Sequence, residues 1–306
     1  MKPKDDIETA DVKMEAAMIY DSYLPEALRR AVEYAGDDGF VASMPQLLHA
    51  RANAPYDNII WNTWLTSNSE ESVAKTPRGH RVVVAVHGGG IFASPERFTK
   101  LYHASVSRSC EVGFTGLFAA KIAEWEARDV LEGKLPDGAE IPVFSFDEFK
   151  RGVADLPRRY AVVMDFETAK KSKSGNETFD DLKDDPLMMV RAGGAEAAAA
   201  YLDKARDRHK SAVMGNWHSF NDIDPDQSQA RILFLAGNEG GASTEVHRDL
   251  TSRLQGYVGI WGTHYRIPID AEFGLRGDSS MINMARYVAV APRNVSTSLR
   301  YLDFEV

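Results

Sequence analysis

Apolar positions along this chain follow two rhythms. Short runs dense in β-branched and aromatic residues read as buried strands at 81–87 (RVVVAVH), 160–164 (YAVVM), 231–236 (RILFLA) and 287–291 (YVAVA). Less decided apolar stretches at 59–65, 141–144, 187–190, 257–261 and 299–304 predict further strands. A helical spacing runs from Glu15 to Gly36, where Pro25 restarts a second helix and Gly36 stops it. The same rhythm predicts helices over 44–51, 96–106, 116–131 and 195–208. Ser145 and Glu148 form a capping box that opens a short helix to about Val153. Between these lie polar stretches read as loops, 67–78 on the surface and 170–185 as a mobile hinge candidate. Strands interleaved with helices predict an α/β protein, three-layer with a mixed, mostly parallel central sheet. The chain reads as a single α/β domain over 1–306 with a helical N-terminal segment to about residue 55.

Composition narrows the function classes. A chain of 306 residues with 44% hydrophobic residues can bury a large core. The net charge of −9 argues against general nucleic-acid binding and against an anionic membrane surface. No apolar run approaches the roughly 18 residues of a membrane span. The single cysteine, Cys110, excludes an intrachain disulfide and any multi-cysteine metal site. The opening MKPKDDIETADVK lacks the apolar segment of a signal peptide, so a cytoplasmic location is expected. Neither a Gly-x-Gly-x-x-Gly turn nor a phosphate-binding GxxxxGK[ST] loop occurs, so there is no nucleotide cofactor signature.

The segment with the most pointed local chemistry is 81–95, RVVVAVHGGGIFASP. A β-branched strand ends in His87-Gly88-Gly89-Gly90, and Ser94-Pro95 then opens a helix. Backbone donors at such a turn suit a carboxylate, a phosphate or a developing oxyanion. The phrase resembles the oxyanion-hole segment of hormone-sensitive-lipase-type esterases. That resemblance implies amides around Gly89 and Gly90 facing a tetrahedral intermediate, with His87 supporting the loop. The Gly-x-Ser-x-Gly nucleophile elbow of those enzymes is absent.

A second constellation is Asp165 and Glu167 in AVVMDFETAK. At i and i+2 after a strand, two carboxylates share a direction and suit a divalent metal ion. The phrase is similar to the first motif of DEDD-type exonucleases. His264 and Asp270 stand in the place of that family's late His and Asp, one residue wider than its usual spacing. A second glycine turn, Gly237 to Gly241, carries Glu239 with Gly240 and Gly241. His218, His247 and His264 lie in the last third of the chain, and Arg276 sits in a loop able to grip an anion bidentately.

Together these residues predict a hydrolase or lyase acting on a small anionic or carbonyl-containing substrate. His87, His218, His264 and Glu239 form its catalytic set; Gly88, Gly89, Gly90, Gly240, Gly241 and Arg276 hold the substrate. Two alternatives stand beside it. One is a metal-dependent phosphodiesterase or nuclease using Asp165 and Glu167. The other is a non-catalytic, self-assembling structural protein, for which a homo-oligomer is the expected state.

Overall fold

The centre of the sheet is a stretch whose composition reads as a loop. In the computed structural model, which describes residues 14–21, 23–106, 119–172, 175–208, 214–217, 220, 223–235, 260–261 and 285–292, the segment Leu65–Lys75 is a strand, buried along nearly its whole length. It has no glycine or proline and ends at a tight turn in which the amides of Thr76 and Gly79 bond back to His80 and Thr76. So short a connection can only join antiparallel neighbours. The strand after it, Arg81–His87, accordingly pairs antiparallel from Lys75↔Arg81 to Ser69↔His87.

In chain order the elements are β1 (Met14–Asp21), α1 (Leu24–Ala35), β2 (Phe40–Val41), α2 (Met44–Asn53), α3 (Ile59–Asn62), β3 (Leu65–Lys75) and β4 (Arg81–His87). A 3-10 turn (Ile91–Ala93) leads to α4 (Pro95–Val106), β5 (Ala119–Lys121), α5 (Glu124–Leu131), β6 (Val143–Ser145), α6 (Phe146–Lys150) and β7 (Tyr160–Asp165). Then follow α7 (Phe166–Ala169), β8 (Gly175–Glu177), α8 (Phe179–Lys183), α9 (Pro186–Ala192) and α10 (Ala195–Arg208). The remaining described elements are β9 (Met214–Trp217), β10 (Gln229–Leu235), β11 (Ile260–Trp261) and β12 (Ala285–Pro292).

The larger sheet runs β6-β7-β4-β3-β10-β11-β9-β8, with β5 also paired to β10; a smaller sheet runs β1-β12-β2. Among the described residues only β6–β7 and β9–β11 pair in parallel. Every other pairing is antiparallel. The expectation of a mostly parallel central sheet is therefore corrected: the sheets are mixed but dominated by antiparallel pairs. The reason lies in the hairpin β3–β4 and in β10, which returns from far along the chain to lie antiparallel against β3.

Both faces of the large sheet are covered. On β4, Val82, Val84 and Val86 enter a core shared with α1, α4 and β12, while Val83 and Ala85 enter a second core with Phe149, Phe166, Leu187 and Val190. A third core gathers Trp61, Leu47, Tyr201, Leu202 and Leu233 around α2 and α10. Helix α1 buries Leu24, Ala27, Leu28, Ala31 and Ala35, one stripe at helical spacing. No helix among the described residues is long and apolar enough to cross a membrane.

Other local expectations are revised for identifiable reasons. Residues 14–21 form a strand rather than a helix because they pair along their full length with β12. The apolar run at 59–65 divides into a one-turn helix, capped by Asn58, and the start of β3. The run at 187–190 is helix α9: Asp185 caps it, Pro186 begins it and Gly193 ends it in the left-handed region at φ 91°. It reads as a strand because α9 is buried on all sides and so shows no polar face. The polar stretch 170–185 contains β8 and α8.

Candidate functional site

The amides at and just after the glycine turn are taken up by the chain itself, those of Gly88 and Gly89 by a carbonyl and those of Ile91 and Phe92 by a carboxylate. Consecutive residues on β3 point to opposite faces of the sheet. Glu70 therefore faces the glycine turn and Glu71 faces α9. The Glu70 carboxylate accepts from the amide of Ile91 at 2.6 Å and from that of Phe92 at 3.1 Å. The amides of Gly88 and Gly89 both donate to the carbonyl of Asn68 at 2.9 Å. At Gly90 a side chain would collide with the Glu70 carboxylate, and Gly88 sits at φ 86° with the Arg158 carbonyl against it. These glycines bring the main chain close to β3, and the donors at 88, 89, 91 and 92 are already engaged.

His87 is fully buried, and both of its ring nitrogens have partners: Nδ1 lies 2.9 Å from Ser69 Oγ and Nε2 lies 3.0 Å from the Val190 carbonyl. A carbonyl can only accept, so Nε2 carries the proton and Nδ1 accepts from the serine hydroxyl, which in turn accepts from the Met44 amide at 2.8 Å. Burial pulls the imidazole down to about 4, against the opposing effects of the Val190 carbonyl and Glu71. His87 is a neutral strut tying β4 to α2 and α9.

On the same face lies a buried ionic cluster. Glu71 receives Arg191 Nε at 2.7 Å and Nη2 at 2.9 Å, and Arg231 Nε at 2.9 Å and Nη2 at 2.6 Å. Arg231 is directly opposite Glu71 in the β3–β10 register, and its guanidinium lies 4.2 Å from the Phe220 ring centroid. Burial alone would raise the Glu71 carboxyl, but the two arginines overcome it and hold it at about 2. Burial pulls Arg231 down to about 10, which leaves it charged at neutral pH.

No protein-family model matches the chain, and no curated protein matches it in sequence. Its structure does superpose on a solved one, a nanoarchaeal protein described as accommodating massive sequence variation by the C-type lectin fold. The TM-score is 0.54 at 21% identity, covering 92% of this chain and 99% of the other. The fold is similar to the C-type lectin fold.

That likeness and the geometry above correct the grounds on which a hydrolase or lyase was expected: the fold is a different one, and the described part of the candidate site is engaged internally. The expectation placed the two glycine turns together at one edge of an open α/β sheet. A C-type lectin-like frame has antiparallel-dominated sheets, and here its glycine turn is closed by Asn68 and Glu70. The expected metal site is corrected too. Asp165 ends β7 and caps α7, its Oδ1 accepting from the amides of Glu167 at 2.9 Å and Thr168 at 3.3 Å. Glu167 falls in the helix, so the two carboxylates lose the shared direction a strand would give them. It is exposed and lies 3.4 Å from Lys170. Among the described residues, no group of three or more His, Cys, Asp or Glu side chains is arranged to hold a metal ion. His218, His264, Glu239, Gly240, Gly241 and Arg276, with His247, Cys110 and Asp270, lie outside the described residues.

The residues that organise this C-type lectin-like interior are Asn68, Glu70, Glu71, Arg191 and Arg231, and none of them stands out in sequence. The available signal was indirect: eleven residues without glycine or proline, Leu65–Lys75, ending at a five-residue connection before a strong strand.

Proposed function

We propose that this protein is non-catalytic and acts by binding, its C-type lectin-like frame presenting a surface to macromolecular partners that include further copies of itself. The observation that carries this reading is that the described part of the candidate site, His87 and the glycine turn, is used internally. His87 is locked neutral between Ser69 and Val190, Glu71 lies between two arginines, and Glu70 closes the glycine turn. A structural neighbour described as accommodating massive sequence variation supports it, since a frame fixed from within leaves its surface open to change. The large exposed side chains of Trp125 and Ile59, 64% and 60% accessible, are consistent with contact surfaces on that exterior.

Native mass spectrometry together with light scattering across a hundredfold concentration range tests the assembly. A discrete oligomer is the expected result, and a monomer at every concentration removes self-association. Turnover of ester or phosphodiester substrates that survives repeated purification would refute the non-catalytic reading itself.

A further inference from the structure

Glu70 differs from its neighbour in one respect that has consequences. Both carboxylates are buried, at 2% and 1% exposure. Glu71 has two arginines in direct contact, whereas among the described residues no cation lies within ion-pairing distance of Glu70. Its oxygens are held by two backbone amides, those of Ile91 and Phe92. The charged and titratable groups that face it are Arg159, ahead of β7, and Tyr287 on β12. Arg159 is itself held by Asp137 at 2.7 Å and by the Gly89 carbonyl at 3.2 Å. The sheet positions beside Glu70 are Val86 on β4 and Ile232 on β10, and the turn across from it supplies only Gly90, Ile91 and Phe92.

We propose that Glu70 is a protonation-controlled latch on the 88–93 turn: ionised, it holds both amides; protonated, it releases one, and the entry into α4 loosens. An ionised carboxylate only accepts, so two amides suit its two oxygens. A proton added to Oε2, which makes the longer bond, sets an O–H donor against the Phe92 N–H. Phe92 is 3% exposed and packs on Phe98 of α4 at a ring-centroid distance of 5.2 Å, so loosening at Phe92 is felt in that helix. Burial pushes the carboxyl up to about 7, with the two amides and Arg159 pulling the other way, which places the transition near neutral pH.

The test is heteronuclear NMR on the full chain between about pH 5 and 9, following the Glu70 side-chain carboxyl carbon and the Ile91 and Phe92 amides. The expected result is one shared midpoint for all three, with the protection of the Phe92 amide, taken relative to its intrinsic exchange rate at each pH, lower by about tenfold or more on the acid side. In Glu70→Gln the two amide resonances should no longer respond to pH. The latch is overturned if the carboxyl carbon titrates while both amides stay still. It is equally overturned if the carbon does not titrate in that range, or if the amides move identically in Glu70→Gln. Should that variant fail to fold, coincidence of the carbon and amide midpoints in the natural protein decides the matter.

Discussion

Replacing Glu71 by glutamine removes one charge and almost no volume, and it isolates what the buried cluster does. In the natural protein the cluster holds one negative and two positive groups, Glu71 and Arg191 fully buried and Arg231 at 2% exposure. Glu71→Gln leaves two guanidinium groups facing each other across a neutral amide that can accept only part of what they donate. Two independent routes give the magnitude. Breaking a buried ion pair by deleting one partner costs about 3–5 kcal/mol. Holding the carboxyl at about 2 instead of its ordinary 4.5 corresponds to about 3 kcal/mol of stability at neutral pH. Urea unfolding followed by fluorescence of the five tryptophans should therefore show a midpoint lowered by about 1 M or more. The sign is fixed by linkage: a depressed carboxyl stabilises above its unfolded value and loses that contribution as pH falls through about 2. The difference between the two proteins should thus shrink below about pH 4. The same logic predicts that a triple change to apolar residues (Glu71→Leu, Arg191→Met, Arg231→Met) recovers much of the loss, because the desolvation of all three charges is removed with them. A glutamine variant that unfolds at the natural midpoint would refute the account.

Gly90→Ala should destabilise by about 1–3 kcal/mol, because its Cβ meets the Glu70 carboxylate, and Gly36→Ala, with open space around it but at φ 62° and ψ −167°, should cost about 1–3 kcal/mol through backbone strain alone; thermal melts of both variants read the two costs. Asp165→Ala should lose about 0.5–2 kcal/mol and Asp165→Asn close to nothing, because asparagine caps a helix as well as aspartate; equal losses in denaturant titrations would show that charge, not capping, is what matters. Glu70 and His87 oppose each other in pH dependence. Glu70, raised from 4.5 to about 7, loses stability as pH rises through that interval, while His87, lowered from 6.5 to about 4, loses it as pH falls through its own. Between pH 4.5 and 6.5 the two slopes cancel, so Glu70→Gln should expose a fall of about 1.4 kcal/mol per pH unit on acidification, read from denaturant midpoints at several pH values.

Much of the framework was legible from local pattern. The continuous β-branched run at 81–87, the strand ending at Asp165, the capping box of Ser145 and Glu148, and the glycine stop at Gly36 all depend on neighbours a few residues away, and the structure realises each of them. The close approach of the main chain at 88–90 was present in the glycines, but the carboxylate there is held by the amides of Ile91 and Phe92 just beyond them. The identity of that carboxylate was not legible. Glu70 lies 21 residues before Ile91, on a strand rich in serine and glutamate that carries the composition of a solvated loop. Glu71 meets Arg191 and Arg231 across separations of 120 and 160 residues. A carboxylate satisfied by water and one satisfied by a buried guanidinium look alike in sequence, since nothing local states which partner will arrive. The sequence by itself determined the element ends that local caps and turns mark, at Gly36, Ser145 and Asp165. The return of β10 against β3, the burial of β3 and the closure of the glycine turn were decided only by the tertiary structure, because a buried carboxylate is tolerable only where distant arginines or amides reach it.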